Sequence, residues 1–194
     1  LYPDFIQGKA IFTNARIYPS MFNYNLISGE IEFIKSKDTL IITDKKDLIS
    51  IDLIPDTFYY HNGYLRMIRN GSFKVCVKYN YAIKDILKKG AMGTTNRSAA
   101  SESYDYFLTN SLSMNLVADI DMKFQKEELY FFSAAGKDFL PFNKTNIMRI
   151  LPYKKDIIKN YMEATKTDFK SREDLLILAE ILSRLLSCLL YTSP

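Results

Sequence analysis

Two Asn-Gly pairs, eight residues apart, constrain the fold of this chain more than any other feature. Asn62-Gly63 separates residues 57–61 from 64–68, and Asn70-Gly71 separates that second run from 72–79. Asn-Gly supplies the positive φ angles of a type I′ turn, whose twist suits a two-residue hairpin. Residues 57–79 are therefore expected to form a three-stranded antiparallel meander. Within it Phe73, Val75, Val77 and Tyr79 share one strand face, and Lys74, Cys76 and Lys78 the other.

The residues before the meander read as more short strands and tight turns. Residues 8–13 and 16–25 are extended, with Pro19 marking an edge or a bulge. Ser28-Gly29 turns into 30–34, where Ile31 and Phe33 alternate with Glu30 and Glu32 as on a half-buried strand. Residues 39–43 and 49–53 follow. Some seven strands are expected in residues 8–80. A sheet of that size, rich in Phe and Tyr, is expected to curl, or to close as a small β-barrel or β-sandwich.

Residues 90–113 are small and polar around Tyr104, Tyr106 and Phe107, and read as a flexible loop. Strands resume at 115–124 and 128–132, with Glu127-Glu128 as a turn, and again at 137–142. Then the period changes from two to between three and four. Asn143 caps a helix over 144–151, and Pro152 opens a second to about residue 165. Ser171 with Asp174 resembles the capping box of a third. Ile147, Ile150, Ile157, Tyr161, Leu175, Leu178, Leu182 and Leu185 are expected to face the β-body. Strands followed by helices define an α+β chain. Residues 1–142 form its antiparallel β-body and 143–187 its three-helix C-terminal cap.

The terminal CLLYTSP, residues 188–194, resembles a translated sequencing-library adapter and is read as a non-native tail. Its deletion is expected to leave the melting temperature unchanged. With the tail set aside, Cys76 is the only cysteine, so neither an intramolecular disulfide nor a cysteine zinc site is expected. On its strand Cys76 reads as a small residue before it reads as a reactive thiol.

The single histidine, His61, beside the first Asn-Gly turn, reads as a polar turn residue. Asp119 and Asp121 share a strand face but have no third acid nearby. Gly90 and Gly93 lack the Lys-Ser/Thr ending of a phosphate loop. Asn70, Asn96 and Asn143 begin glycosylation triplets; Asn70 and Asn143 are accounted for by turn and cap chemistry. No catalytic set is legible, and no cofactor is expected. The net charge of +4 is concentrated in residues 61–100, which carry eight Lys or Arg against Asp85 alone.

The stretches YPDFIQGKAIF, FNYNLISGEIEFI, DTFYYHNGYLRMI and FLPFNKTNIMRILPYKKDIIKNYMEATKTDFKSREDLLILAEIL together resemble uncharacterised exported proteins of Bacteroidota. That resemblance implies a cleaved signal peptide, a β-rich body with a helical C-terminus, and a location in the periplasm, at the cell surface or outside the cell. It implies no activity.

The leading expectation is a non-enzymatic envelope protein with a binding or structural role. Its expected partner is an envelope protein or an anionic envelope component, met through Tyr59, Tyr60, Tyr64, Arg66, Arg69, Lys74, Lys78, Tyr104 and Tyr106. The alternatives are a small apolar ligand carrier with a barrel cavity and, ranked last, a sheet that stacks nucleic-acid bases.

Overall fold

The computed structural model describes residues 1–89, 95–97 and 120–190. Its body is one antiparallel sheet. In chain order the strands are β1 (Ile6–Phe12), β2 (Ile17–Asn25), β3 (Glu30–Lys35), β4 (Asp38–Ile41), β5 (Leu48–Leu53), β6 (Thr57–Tyr60), β7 (Tyr64–Arg69), β8 (Phe73–Lys89), β9 (Thr95–Arg97), β10 (Ile120–Ala134) and β11 (Leu140–Pro141). They lie in the order β11-β10-β8-β7-β6-β5-β1-β2-β3-β4, with β9 pairing off this path to β8. Three helices follow: α1 (Lys144–Ile150), α2 (Lys155–Thr165) and α3 (Arg172–Leu190), with a 3-10 turn, Pro152–Lys154, between the first two.

The meander lies where its turns predict, as β6, β7 and β8, but neither turn is a two-residue hairpin. Tyr60 pairs with Tyr64, so His61, Asn62 and Gly63 form a three-residue loop, with Asn62 at φ 49° and Gly63 at φ 115°. At the second turn only Gly71 has a positive φ, and the Asn70 side chain accepts from the Gly71 amide instead. Pro19 sits beyond the end of β3, which pairs with β2 only from Phe22 to Asn25. Its missing N–H therefore falls where β2 is locally an edge.

The sheet curls but does not close, which corrects the barrel and sandwich expectations. Its end strands explain this. β4 has four residues and β11 two, one of them a proline, and the two do not pair. Barrel closure needs a continuous ladder between first and last strands. The other corrections lie at β9 and β10. Thr95–Arg97 pairs with Leu87–Lys89, within the stretch read as loop. Residues 115–119, and Tyr104 and Tyr106, lie outside the described residues. Glu127 and Glu128 do not turn: β10 runs straight through them, paired with Asn80 and Tyr79. Glu128 is met by Lys126 and Tyr130 of its own strand and Glu127 by Asn80 of β8, so extended backbone leaves neither charge isolated.

One face of the curl carries the core. Phe22, Tyr24, Ile31, Ile51, Phe58, Tyr64, Phe73, Val75, Val77 and Phe132 are buried there. The helices close the end of this face at β8 and β10, where Phe73 stacks on Phe132 at 4.7 Å and Phe142 sits 5.3 Å from Phe132. Ile147, Leu175, Leu178 and Leu182 are buried as their spacing predicts. Ile157 is not: it is 53% exposed, and Ile158 and Met162 are buried instead. The 3-10 turn resets the helical phase ahead of α2, which the periodicity alone does not reveal.

Asn143 caps α1 by accepting from the Asn146 amide at 2.9 Å. The capping box of α3 is half made. Ser171 Oγ accepts from the Asp174 amide, but the Asp174 carboxylate accepts from the Asp168 amide rather than from Ser171 N–H.

Gly8 is tightly held between β2 and β5. A Cβ there would lie 2.3 Å from Leu53 Cδ2 and 2.7 Å from the Asp52 carbonyl oxygen. The carbonyl belongs to the paired strand and cannot rotate away. Gly8→Ala is expected to cost about 1–3 kcal/mol as overpacking, read as a lower urea midpoint with unchanged slope.

Candidate binding groove

β8 and β10 form a ribbon of two unusually long strands. It runs free of β7 beyond Val77, the last β8 residue paired with that strand. Side chains alternate along it, so Tyr79 and Tyr81 on β8 and Lys126, Glu128 and Tyr130 on β10 continue the core face outward. Beside them lies an open groove of about 1050 Å³, walled by Tyr81, Lys126, Glu128, Phe142, Phe169 and Lys170.

The groove floor is polar and fully partnered. Lys126 Nζ lies 2.5 Å from Glu128 Oε1, and Tyr130 donates its hydroxyl to Glu128 Oε2 at 2.5 Å. Lys126 also sits 4.6 Å from the centre of the Tyr79 ring, within cation–π reach. The Lys126 and Tyr130 hydrogen bonds hold the Glu128 carboxyl below its ordinary range, and the same bond from Lys126 holds the ammonium above its own. Burial and then the Glu128 bond push the Tyr130 hydroxyl well above its usual pKa. This pair is therefore charged throughout the neutral range. The far wall is apolar, with Phe142 and Phe169 edge to face at 6.4 Å.

A smaller recess of about 420 Å³, lined by Tyr24, Glu30, Tyr60, Lys78 and Tyr79, meets the groove at Asn80 and Tyr81. Beneath it Lys45 binds both oxygens of Glu30, at 2.8 and 2.7 Å, and lies 5.0 Å and 5.4 Å from the Tyr60 and Tyr64 ring centres. The Tyr64 hydroxyl is buried with no hydrogen-bond partner among the described residues. Deeper still, Asp56 accepts from Tyr2 and, at 2.8 Å, from Arg66 Nε, while Arg66 Nη1 donates to Tyr79.

The surface expected from the sequence is divided by the fold. Tyr60, Tyr64 and Arg66 lie on the core face. A bulge between Met67 and Arg69 turns Arg69 to the same side, where it binds Glu180 of α3 at 2.7 Å. Tyr59 lies on the opposite face, with Lys74 donating to its hydroxyl at 2.8 Å and the Phe139 ring at 5.2 Å. Lys78 donates to the Asn62 carbonyl at 2.5 Å. Each of the four cations, Arg66, Arg69, Lys74 and Lys78, thus has an acceptor within the chain.

Sequence reasoning missed Lys126, Glu128 and Tyr130. Their signal was Lys-x-Glu-x-Tyr at period two, which reading Glu127-Glu128 as a turn concealed.

Cys76 faces away from the core yet is fully buried. His61 packs between Phe131 at 6.1 Å and Phe139 at 6.3 Å. Among the described residues no group of three His, Cys, Asp or Glu is placed to hold a metal. No described helix is long and apolar enough to cross a membrane.

Burial pushes the Cys76 thiol up to about 12 and the Tyr24 hydroxyl up to about 12. Both groups are neutral in the folded chain. As pH rises past about 8.5 the unfolded thiol loses its proton first, and past about 10 the unfolded phenol follows. Stability is therefore complete below these values and falls with rising pH above them. The urea midpoint is expected to be lower at pH 10.5 than at pH 8. Thiol reagents should label Cys76 at pH 8 only after denaturant is added.

Compared with known proteins, the chain matches no family model, no curated protein and no solved structure.

Proposed function

We propose that this is a non-enzymatic binding protein of the cell envelope, and that it receives its partner in the groove beside β10. The observation that carries this reading is the groove's construction. An apolar aromatic wall faces a charged pair whose geometry is already satisfied, on a strand pair rooted in the core. Preorganised groups of this kind lose little freedom on binding, and apolar lining with a few fixed polar groups is typical of binding sites. The envelope location rests on the resemblance of the chain to exported proteins.

A photo-crosslinking residue at Gln125, which is exposed on the groove rim, is expected to give one discrete adduct in cells. The same residue at exposed Lys9, away from the groove, is expected to give none. Fractionation is expected to place the chain outside the cytoplasm. No adduct from Gln125, or a cytoplasmic chain, would defeat the proposal.

A second reading follows from a different recess, of about 490 Å³, where Phe12, Tyr18, Phe33, Leu40 and Ile42 leave apolar surface open. It suits a small apolar ligand without requiring a closed barrel. Displacement of a fluorescent fatty acid, lost in Phe33→Asp, is the expected result.

A further inference from the structure

We infer that the occupant of the groove is an extended segment of a partner polypeptide, added to the sheet as a strand along β10. This rests on the groove being the docking site. Seven consecutive residues of β10, 125–131, line the groove, so what it presents is a sheet edge as well as side chains.

The edge is open by a countable amount. β11 pairs with β10 only at Phe131 and Phe132, and the Phe142 amide adds one bond, at 2.8 Å, to the Tyr130 carbonyl. The chain then turns into α1. Among the described residues nothing pairs with this side of β10 between Ile120 and Leu129. In an antiparallel strand the N–H and C=O of one residue point the same way, and those of the next residue the opposite way. The Tyr130 carbonyl points to the β11 side, and the ladder to β8 is unshifted from Phe124 to Ala134. Glu128 and Lys126 therefore turn their backbone N–H and C=O to the groove, while Leu129, Glu127 and Gln125 turn theirs to β8. These rungs repeat about every 6.8 Å. Only a second extended backbone matches that spacing, which is the basis of recognition by strand addition.

The walls state what the added strand carries. Beside Phe142 and Phe169 it has an apolar side chain; alternate positions further along meet the Lys126–Glu128 pair and are polar. A second copy of the chain does not fit. Antiparallel self-pairing that sets Lys126 against the second copy's Glu128 also sets Glu127 against Glu127. It places the second copy's Phe124 opposite Tyr130, where Phe142 is already bonded. Like charges directly opposed are destabilising, and exposed charges along an edge resist indiscriminate pairing.

The test uses the full chain and a displayed library of random decapeptides. Selected peptides are expected to slow hydrogen exchange at the Lys126 and Glu128 amides. N-methylation at alternate peptide residues is expected to weaken binding at least tenfold, and at the intervening residues far less. Lys126→Pro removes one outward N–H without touching the ladder to β8, so it is expected to keep the fold and lose the peptides. The N-methyl series stands independently should that variant unfold. Several results would overturn the inference: no binder recovered, protection elsewhere, indifference to N-methylation, slow exchange at both amides in the free chain, or a homodimer that protects them. A crosslinked partner in cells together with any of these would leave the binding role standing and remove only the strand-addition mode.

Discussion

Leu178→Asp lowers the melting temperature by roughly 10 °C, the largest effect expected from any single change in the helical cap. Leu178 is 1% exposed, in the one cluster that joins α3 to Phe73, Val75 and Phe132. Aspartate there loses a buried leucine's packing and places a charge inside an apolar cluster. The combined cost is about 4 kcal/mol, and for a chain of this size each kcal/mol moves the midpoint by about 2–4 °C. Ile177→Asp, one residue away at a site 57% exposed, is expected to shift it by less than 2 °C. Similar midpoints for the two would show that α3 does not pack through this face.

Asp56→Ala is expected to cost about 3 kcal/mol. Asp56 is buried and is the common acceptor for Tyr2 and Arg66. Removing it strands a guanidinium that is itself largely covered, and an uncompensated buried charge is what makes a broken pair expensive. The pair as a whole is a different matter. Asp56→Leu with Arg66→Met leaves no charge behind and is expected to recover most of the loss in thermal unfolding. A double variant as unstable as Asp56→Ala would show that the residues act through packing rather than charge.

What the sequence made legible was governed by local rules. Period-two alternation placed Phe73, Val75, Val77 and Tyr79 together on one face, which the fold makes the core face, and the Asn143 cap and the Leu175, Leu178, Leu182 stripe followed from their spacing. What it concealed depended on which side chains the strand pairing and packing bring together. Glu127-Glu128 looks like a turn until Lys126 and Asn80 are beside it. Arg66 and Arg69 look like a basic surface until Asp56 and Glu180 are brought to them. Closure was undecidable because it turns on whether β4 meets β11, residues a hundred positions apart.

The long ribbon has a mechanical side. Fifteen residues of β10 extend about 50 Å, but β7 and the helices brace only the third nearest Phe73 and Ala134. Past Val77 the described strands run as a pair without a third until β9, and a two-stranded ribbon is marginal on its own. The ribbon is a cantilever: rigid at its root, compliant beyond it, and interrupted at Lys123 and Phe124 by a shift of register. Lys126 and Glu128 lie just beyond the brace, where a small change in the ribbon's angle is carried along its length into a large displacement of the tip.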